Sequence, residues 1–94
     1  MSNNLHIKKF VAAHNIHHIF IQSFKSLLDQ NTCEVLDITD KNISVDTENI
    51  EAEVGDLNTI TFKSTVHQNN NKIGYYKLVF TTAGELMDDF FVIQ

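Results

Sequence analysis

Residues 5–30, LHIKKFVAAHNIHHIFIQSFKSLLDQ, are the only long stretch of this chain with a helical period. Phe10, Ile16, Ile19, Phe20, Phe24, Leu27 and Leu28 recur at steps of three and four and form one broad apolar stripe, widened by Val11 and Ile21. Neither Gly nor Pro interrupts the run. Ser2, Asn3 or Asn4 offers a capping oxygen at its start, and Asn31 tolerates the left-handed conformation that ends helices. The spacing predicts one long N-terminal helix. A break at His14-Asn15 is the alternative, giving two shorter ones.

Beyond the helix the period changes to two. Residues 33–39 alternate, with Glu34, Leu36 and Ile38 set against Cys33, Val35, Asp37 and Thr39, which predicts a strand. Asp40-Lys41-Asn42 is turn chemistry. Ile43 and Val45 share one parity while Ile50, Ala52 and Val54 share the other, so the phase slips by one residue within 46–49. Two short strands or one bulged strand would both restore a single inward face. Gly55-Asp56 makes a turn. Residues 58–67 form the cleanest strand, with Ile60, Phe62 and Val66 on one side and Thr59, Thr61, Lys63, Thr65 and His67 on the other. A polar loop over 68–72 leads to a returning strand, in which Tyr76, Leu78 and Phe80 oppose Tyr75, Lys77, Val79 and Thr81. Residues 82–85, with Gly84 supplying a positive φ, turn the chain into the last strand, 86–93.

That last strand is apolar on both parities: Leu86, Phe90 and Val92 on one, Met87, Phe91 and Ile93 on the other. One set faces the helix. The other needs a cover that the chain does not contain. We assign it, with Tyr75 and Val79, to a self-association surface made of Tyr75, Val79, Met87, Phe91 and Ile93. Asp88 and Asp89 interrupt the run and read as gatekeepers against aggregation. The fold class is therefore α+β, one helix packed on an antiparallel sheet of four or five strands, with residues 1–94 as a single domain.

Composition narrows the function classes. The apolar share of 43% and charged share of 20% are those of a globular chain. Seven Lys, no Arg and twelve acids give a net charge of −5, which argues against nucleic acid and against an anionic membrane surface. No apolar run approaches the 18 residues of a membrane span. One cysteine, Cys33, precludes an internal disulfide and suits a reducing compartment, so a cytoplasmic location is expected.

The closing hairpin, KIGYYKLVFTTAGELMDDFFVIQ, together with the helix that precedes the sheet, resembles the cystatin-like and NTF2-like group of small α+β folds. Here an aromatic alternating strand, a turn with Gly and a mixed apolar final strand follow the family pattern. The chain departs from typical NTF2-like members in having room for one helix, or one kinked helix, before the sheet. The resemblance implies back-to-back packing of sheets into dimers. It does not carry over protease inhibition, because the Gln-Val-Val-Ala-Gly-type loop of cystatins is missing.

Three constellations bear on chemistry. His14 and His18 stand one helical turn apart, with His17 between, a spacing that can place two imidazoles on one metal. No acid lies within a turn of them, so no metal or cofactor is assigned. The resemblance to NTF2-like isomerases implies a carboxylate base and a phenol donor, for which Tyr75 or Tyr76 with Asp37 or Asp89 are the candidates. No spacing ties these into a catalytic set. Phe24, Phe62, Tyr76 and Phe80 would line any apolar ligand site between helix and sheet, or simply fill the core. The expectation is a small non-catalytic binding or protein-interaction domain acting as a homodimer, its partner itself, another protein or a small apolar ligand. Alternatives are an isomerase or hydratase of the NTF2-like kind and a small acidic inhibitor of another macromolecule.

Overall fold

The computed structural model describes residues 2–55 and 58–94. Three helices precede a five-stranded antiparallel sheet. They are α1 (Ser2–His14), α2 (Ile16–Gln30) and α3 (Cys33–Leu36), followed by β1 (Ser44–Val45), β2 (Glu51–Val54), β3 (Thr59–Gln68), β4 (Asn71–Thr81) and β5 (Leu86–Ile93). The α+β class is as the periodicities require. The long N-terminal helix is divided at Asn15, which takes the left-handed conformation (φ 53°, ψ 50°) without a side-chain capping bond. Asn adopts these dihedrals more readily than most residues. The turn bends the stripe so that Phe10 from α1 and Ile16, Phe20 and Phe24 from α2 reach the same core. Helical α1 already takes in Ser2, Asn3 and Asn4; the capping roles of their side chains lie outside the described part, as does Asp56 of the expected Gly55-Asp56 turn.

The strand expected over 33–39 is instead the single helical turn α3. Thr32 caps it, its hydroxyl accepting from the Val35 N–H at 3.2 Å, and Asp37 closes it in the left-handed conformation (φ 59°). The apparent two-residue alternation fails because only Leu36 is buried, while Val35 is 70% exposed.

Strand β3 is the sheet's spine. β4 pairs along one of its edges, and β1 and β2 share the other, β1 through Val45 opposite Val66 and β2 through Ala52 opposite Phe62. Together β1 and β2 are two halves of one edge strand. The phase slip between them is taken up by a turn built on Asp46. Its N–H donates to the Thr65 carbonyl, its carbonyl accepts from the buried Ser64 hydroxyl, and its carboxylate accepts from the Glu48 N–H and the Asn49 amide. Val45, Ile50 and Ala52 all reach the core as a result.

Asn69 and Asn70, both at positive φ (52° and 66°), form the two-residue turn between β3 and β4. These dihedrals match the right-handed twist of the flanking strands. β5 pairs with β4 at the sheet's far edge. The two strands approach so closely at Gly74 that a Cβ there would overlap the Val92 carbonyl oxygen at 1.9 Å. The core between helices and sheet is a cluster of rings, Phe10, Phe20, Phe24, Phe62, Tyr76 and Phe80, joined by Ile16, Ile60, Val66 and Leu78. Each such large side chain contributes about 1.5–3 kcal/mol on full burial. No helix among the described residues is long and apolar enough to cross a membrane.

Candidate functional site

The sheet has two unlike faces, and the pairing register says which residue lies on which, because residues directly opposite in an antiparallel pair point to the same side. Tyr76, Leu78 and Phe80 face the helices, each fully buried. Their partners on β5, Phe91, Asp89 and Leu86, share that inner side, and Phe91 stands 6.2 Å from the Phe24 ring. The outer side carries Tyr75, Lys77 and Val79 from β4 with Val92, Phe90 and Asp88 opposite them.

The expected self-association set therefore does not form one surface. Tyr75 and Val79 are on the outer face. Phe91 and Ile93 are on the inner one, opposite Tyr76 and Gly74. Met87, 58% exposed, is the extra residue of a bulge, since Phe80 opposes Leu86 while Val79 opposes Asp88. The bulge flips parity, so Leu86 and Phe90 lie on opposite sides. Phe90, 42% exposed, and Val92 take the outer places that had been given to Phe91 and Ile93.

Two lysines complete the outer face. Lys63 sits over the Tyr75 ring at 4.5 Å, and Lys77 lies 5.1 Å from the Phe90 centroid and 6.0 Å from that of Tyr75. Each such contact is worth about 0.5–1 kcal/mol at an exposed site. On β2, Glu51 and Glu53 lie opposite Lys63 and Thr61, so an acidic band borders the lysines. The face reads, from edge to edge, as acids, lysines, then aromatic and aliphatic side chains with Asp88.

The expected ligand-lining set, Phe24, Phe62, Tyr76 and Phe80, is packed into the core. Phe24 and Tyr76 meet at 5.3 Å and Phe62 and Phe80 at 5.7 Å between ring centroids. Apolar grooves lie around this core. Two of about 440 Å³ flank α1, one between Val11, Ile16, Ile50, Ala52 and Phe62, the other between Phe10, Ala13, Val54, Ile60 and Thr82. A third of about 410 Å³ runs between α2 and β1, along Ile21, Phe24, Leu28, Ile43 and Val45.

One polar chain crosses the core's rim. The Tyr76 hydroxyl lies 2.6 Å from the Ser23 hydroxyl on α2 and donates to the Asp89 carboxylate at 3.5 Å, long for such a bond. Burial raises the phenol's pKa, the Ser23 bond opposes the rise, and the Asp89 charge adds to it. The phenol is thus held neutral and serves as a donor. Neither groove beside α1 is lined by Tyr76 or Asp89. Asp37, the other acid considered, caps α3.

The histidines are dispersed. His14 is half-buried, its ring tilted against that of Phe10 at 4.5 Å between centroids, and it occupies the space beside Gly84 at the β4–β5 turn. His17 and His18 are exposed on α2, and the turn at Asn15 removes the one-turn relation between His14 and His18. Among the described residues no three His, Cys, Asp or Glu side chains are placed to hold a metal ion. Cys33 is a half-buried free thiol.

Comparison with protein-family models, with curated proteins and with solved structures finds no match to this chain. The outer sheet face combines apolar and charged side chains, and none of the described elements covers it.

Proposed function

We propose that this protein is a small non-catalytic interaction domain of the cystatin-like or NTF2-like kind, and that it acts as a homodimer through the outer face of its sheet. The observation that carries this reading is the pairing of half-exposed Tyr75, Val79, Phe90 and Val92 on one uncovered face with charges of both signs beside them. A two-fold rotation can lay the Glu51–Glu53 band of one copy over Lys63 and Lys77 of the other, since both bands lie on the same surface. Three paired strands of eight to eleven residues offer a patch on the order of 500 Å² per copy at ordinary strand spacing. Two such patches reach only the lower edge of specific interfaces, so association in the micromolar range or weaker is expected.

The catalytic alternative has one observation in its favour, the approach of Tyr76 to Asp89. It has against it a fully buried tyrosine whose ring packs against Phe20 and Phe24 and whose hydroxyl is engaged by Ser23. Sedimentation equilibrium from about 10 μM to about 1 mM, a range set by the small patch, tests the leading reading. The native chain should dimerise, and Phe90→Asp, at an exposed position, should weaken the dimer at least tenfold while leaving the circular dichroism unchanged. A native chain that stays monomeric across that range overturns it.

A further inference from the structure

The junction of α1 and α2 is one residue long, and that residue is not glycine. Asn15 holds φ at 53°, a conformation that costs an L side chain energy in every protein, and its side chain gains no capping bond there. The segment on either side, residues 5–30, contains neither Gly nor Pro, so nothing in its backbone chemistry forbids one continuous helix. If Asn15 turned right-handed, α1 and α2 would join into one helix over residues 2–30, about 43 Å long at 1.5 Å per residue. The backbone hydrogen bonds that a break forfeits would be recovered.

What opposes straightening is the burial of α1 on its own sheet. That hold is the weaker of the two. Among its described side chains α1 buries only Phe10, against Ile16, Phe20 and Phe24 from α2, and open grooves of about 440 Å³ run along both its sides. A straightened α1 would leave Phe62, Ile60 and Phe80 uncovered, and Phe10 itself in water. The one partner whose shape and apolar spacing match that vacated surface is another copy of α1.

We propose that Asn15 is a hinge, and that α1 exchanges between two copies of this chain, each sheet being covered by its partner's α1. Every contact of Phe10 with Phe62 and Phe80 is then remade between copies, while both hinges lose their left-handed residue. The exchanged dimer uses the helix side of the sheet, so it stands apart from the outer-face dimer and does not depend on it.

The test is made in chains carrying Phe90→Asp, in which the outer-face dimer is weakened. Asn15→Ala penalises the left-handed hinge about fivefold per copy, so the exchanged-dimer constant should rise about 25-fold. Asn15→Gly favours the bend and should lower it. Exchange itself is read by refolding together two chains that also carry Cys33→Ser. One is 15N-labelled; the other is unlabelled and holds a nitroxide on Lys9→Cys, beside Ile60 and Thr82. The dimer should show broadened Ile60 and Thr82 amides in the labelled chain. An Asn15→Ala chain that folds, shows no rise in dimer and gives no broadening overturns the proposal. Should Asn15→Ala fail to fold, native Asn15 and Asn15→Gly are compared after refolding at about 1 mM; equal exchanged fractions overturn it as well. Running the native Phe90 chain in parallel separates this outcome from failure of the outer-face reading.

Discussion

Replacing Gly84 by Ala should be among the more damaging single-methyl changes available in this chain, and a second substitution should repair part of the damage. Gly84 sits in the β4–β5 turn at φ +95°, a conformation that costs an L residue about 1–2 kcal/mol. A Cβ built there lies 2.4 Å from two ring atoms of His14. Crowding of that kind adds about 1–3 kcal/mol, toward the lower end here because a half-buried imidazole can partly give way. The restricted unfolded chain returns less than about 1 kcal/mol. The expected loss is about 2–4 kcal/mol, which for a chain of this size lowers the melting temperature by about 10–30 °C. In a His14→Ala background the crowding disappears and only the dihedral cost remains, about 1–2 kcal/mol. Urea unfolding of the four proteins in the cycle measures the coupling directly, and the cost of His14→Ala alone cancels. Equal losses from Gly84→Ala with and without His14 would show that the imidazole does not fill the space beside the turn, and the docking of α1 against the β4–β5 turn would have to be redrawn.

Two further changes probe the polar contacts. Tyr76→Phe removes the hydroxyl between Ser23 and Asp89 and should cost about 1 kcal/mol in urea unfolding, the worth of a hydrogen bond whose partners can reach water. Ser23→Ala should add almost nothing in the Tyr76→Phe protein; a full second penalty there would mean that Ser23 is held by something other than the phenol. Asp46 titrates below its ordinary 3.8, because its carboxylate accepts from the Asn49 amide and, more weakly, the Glu48 N–H, with burial opposing and His67 adding a smaller favourable charge. A depressed folded pKa contributes stability that is complete above the unfolded value and is lost as pH falls through the folded one. The gap in urea midpoint between the native chain and Asp46→Ala should be widest near neutrality and shrink below about pH 4. A gap unchanged from pH 6 to pH 3 would remove Asp46 from that role.

The β3–β5 meander was legible because its signals agree at every level: alternation, a polar loop, a Gly turn and a second alternating run. The inner face of β5 was not read: its register sets Phe80 against Leu86 and, past the bulge at Met87, Tyr76 against Phe91, whereas the expectation placed Phe91 and Ile93 outside. Parity of β5 taken alone gives no such answer, since both its faces are apolar, and the bulge at Met87 leaves no mark in composition. The phase slip at 46–49 was visible and its cause was not, because the Asp46 turn depends on Ser64 eighteen residues away. α3 had local signals, Thr32 as a cap and Glu34 in the first turn, which compete with a short alternation that cannot separate helix from strand. Asn15 lies between these cases: one long helix was the expectation and a break at His14-Asn15 the stated alternative, and the sheet on which both halves must lie decides for the break. The lysine-over-ring contacts of the outer face required the register of three strands and were out of reach of any single stretch.

The order of elements along the chain also sets the order in which they are made. α1 and α2 are synthesised before any strand, yet the surface their apolar side chains cover is β3, β4 and β5, which come last. At about 5–20 residues per second, the 63 residues from 31 to 93 take roughly 3–13 s to emerge. Until β3 and β4 are made, Phe10, Ile16, Phe20 and Phe24 have no sheet to rest on. In a nascent chain of this design the apolar helices precede the strands that cover them, so their exposed stripe is open to other partners until the β3–β4 hairpin is made.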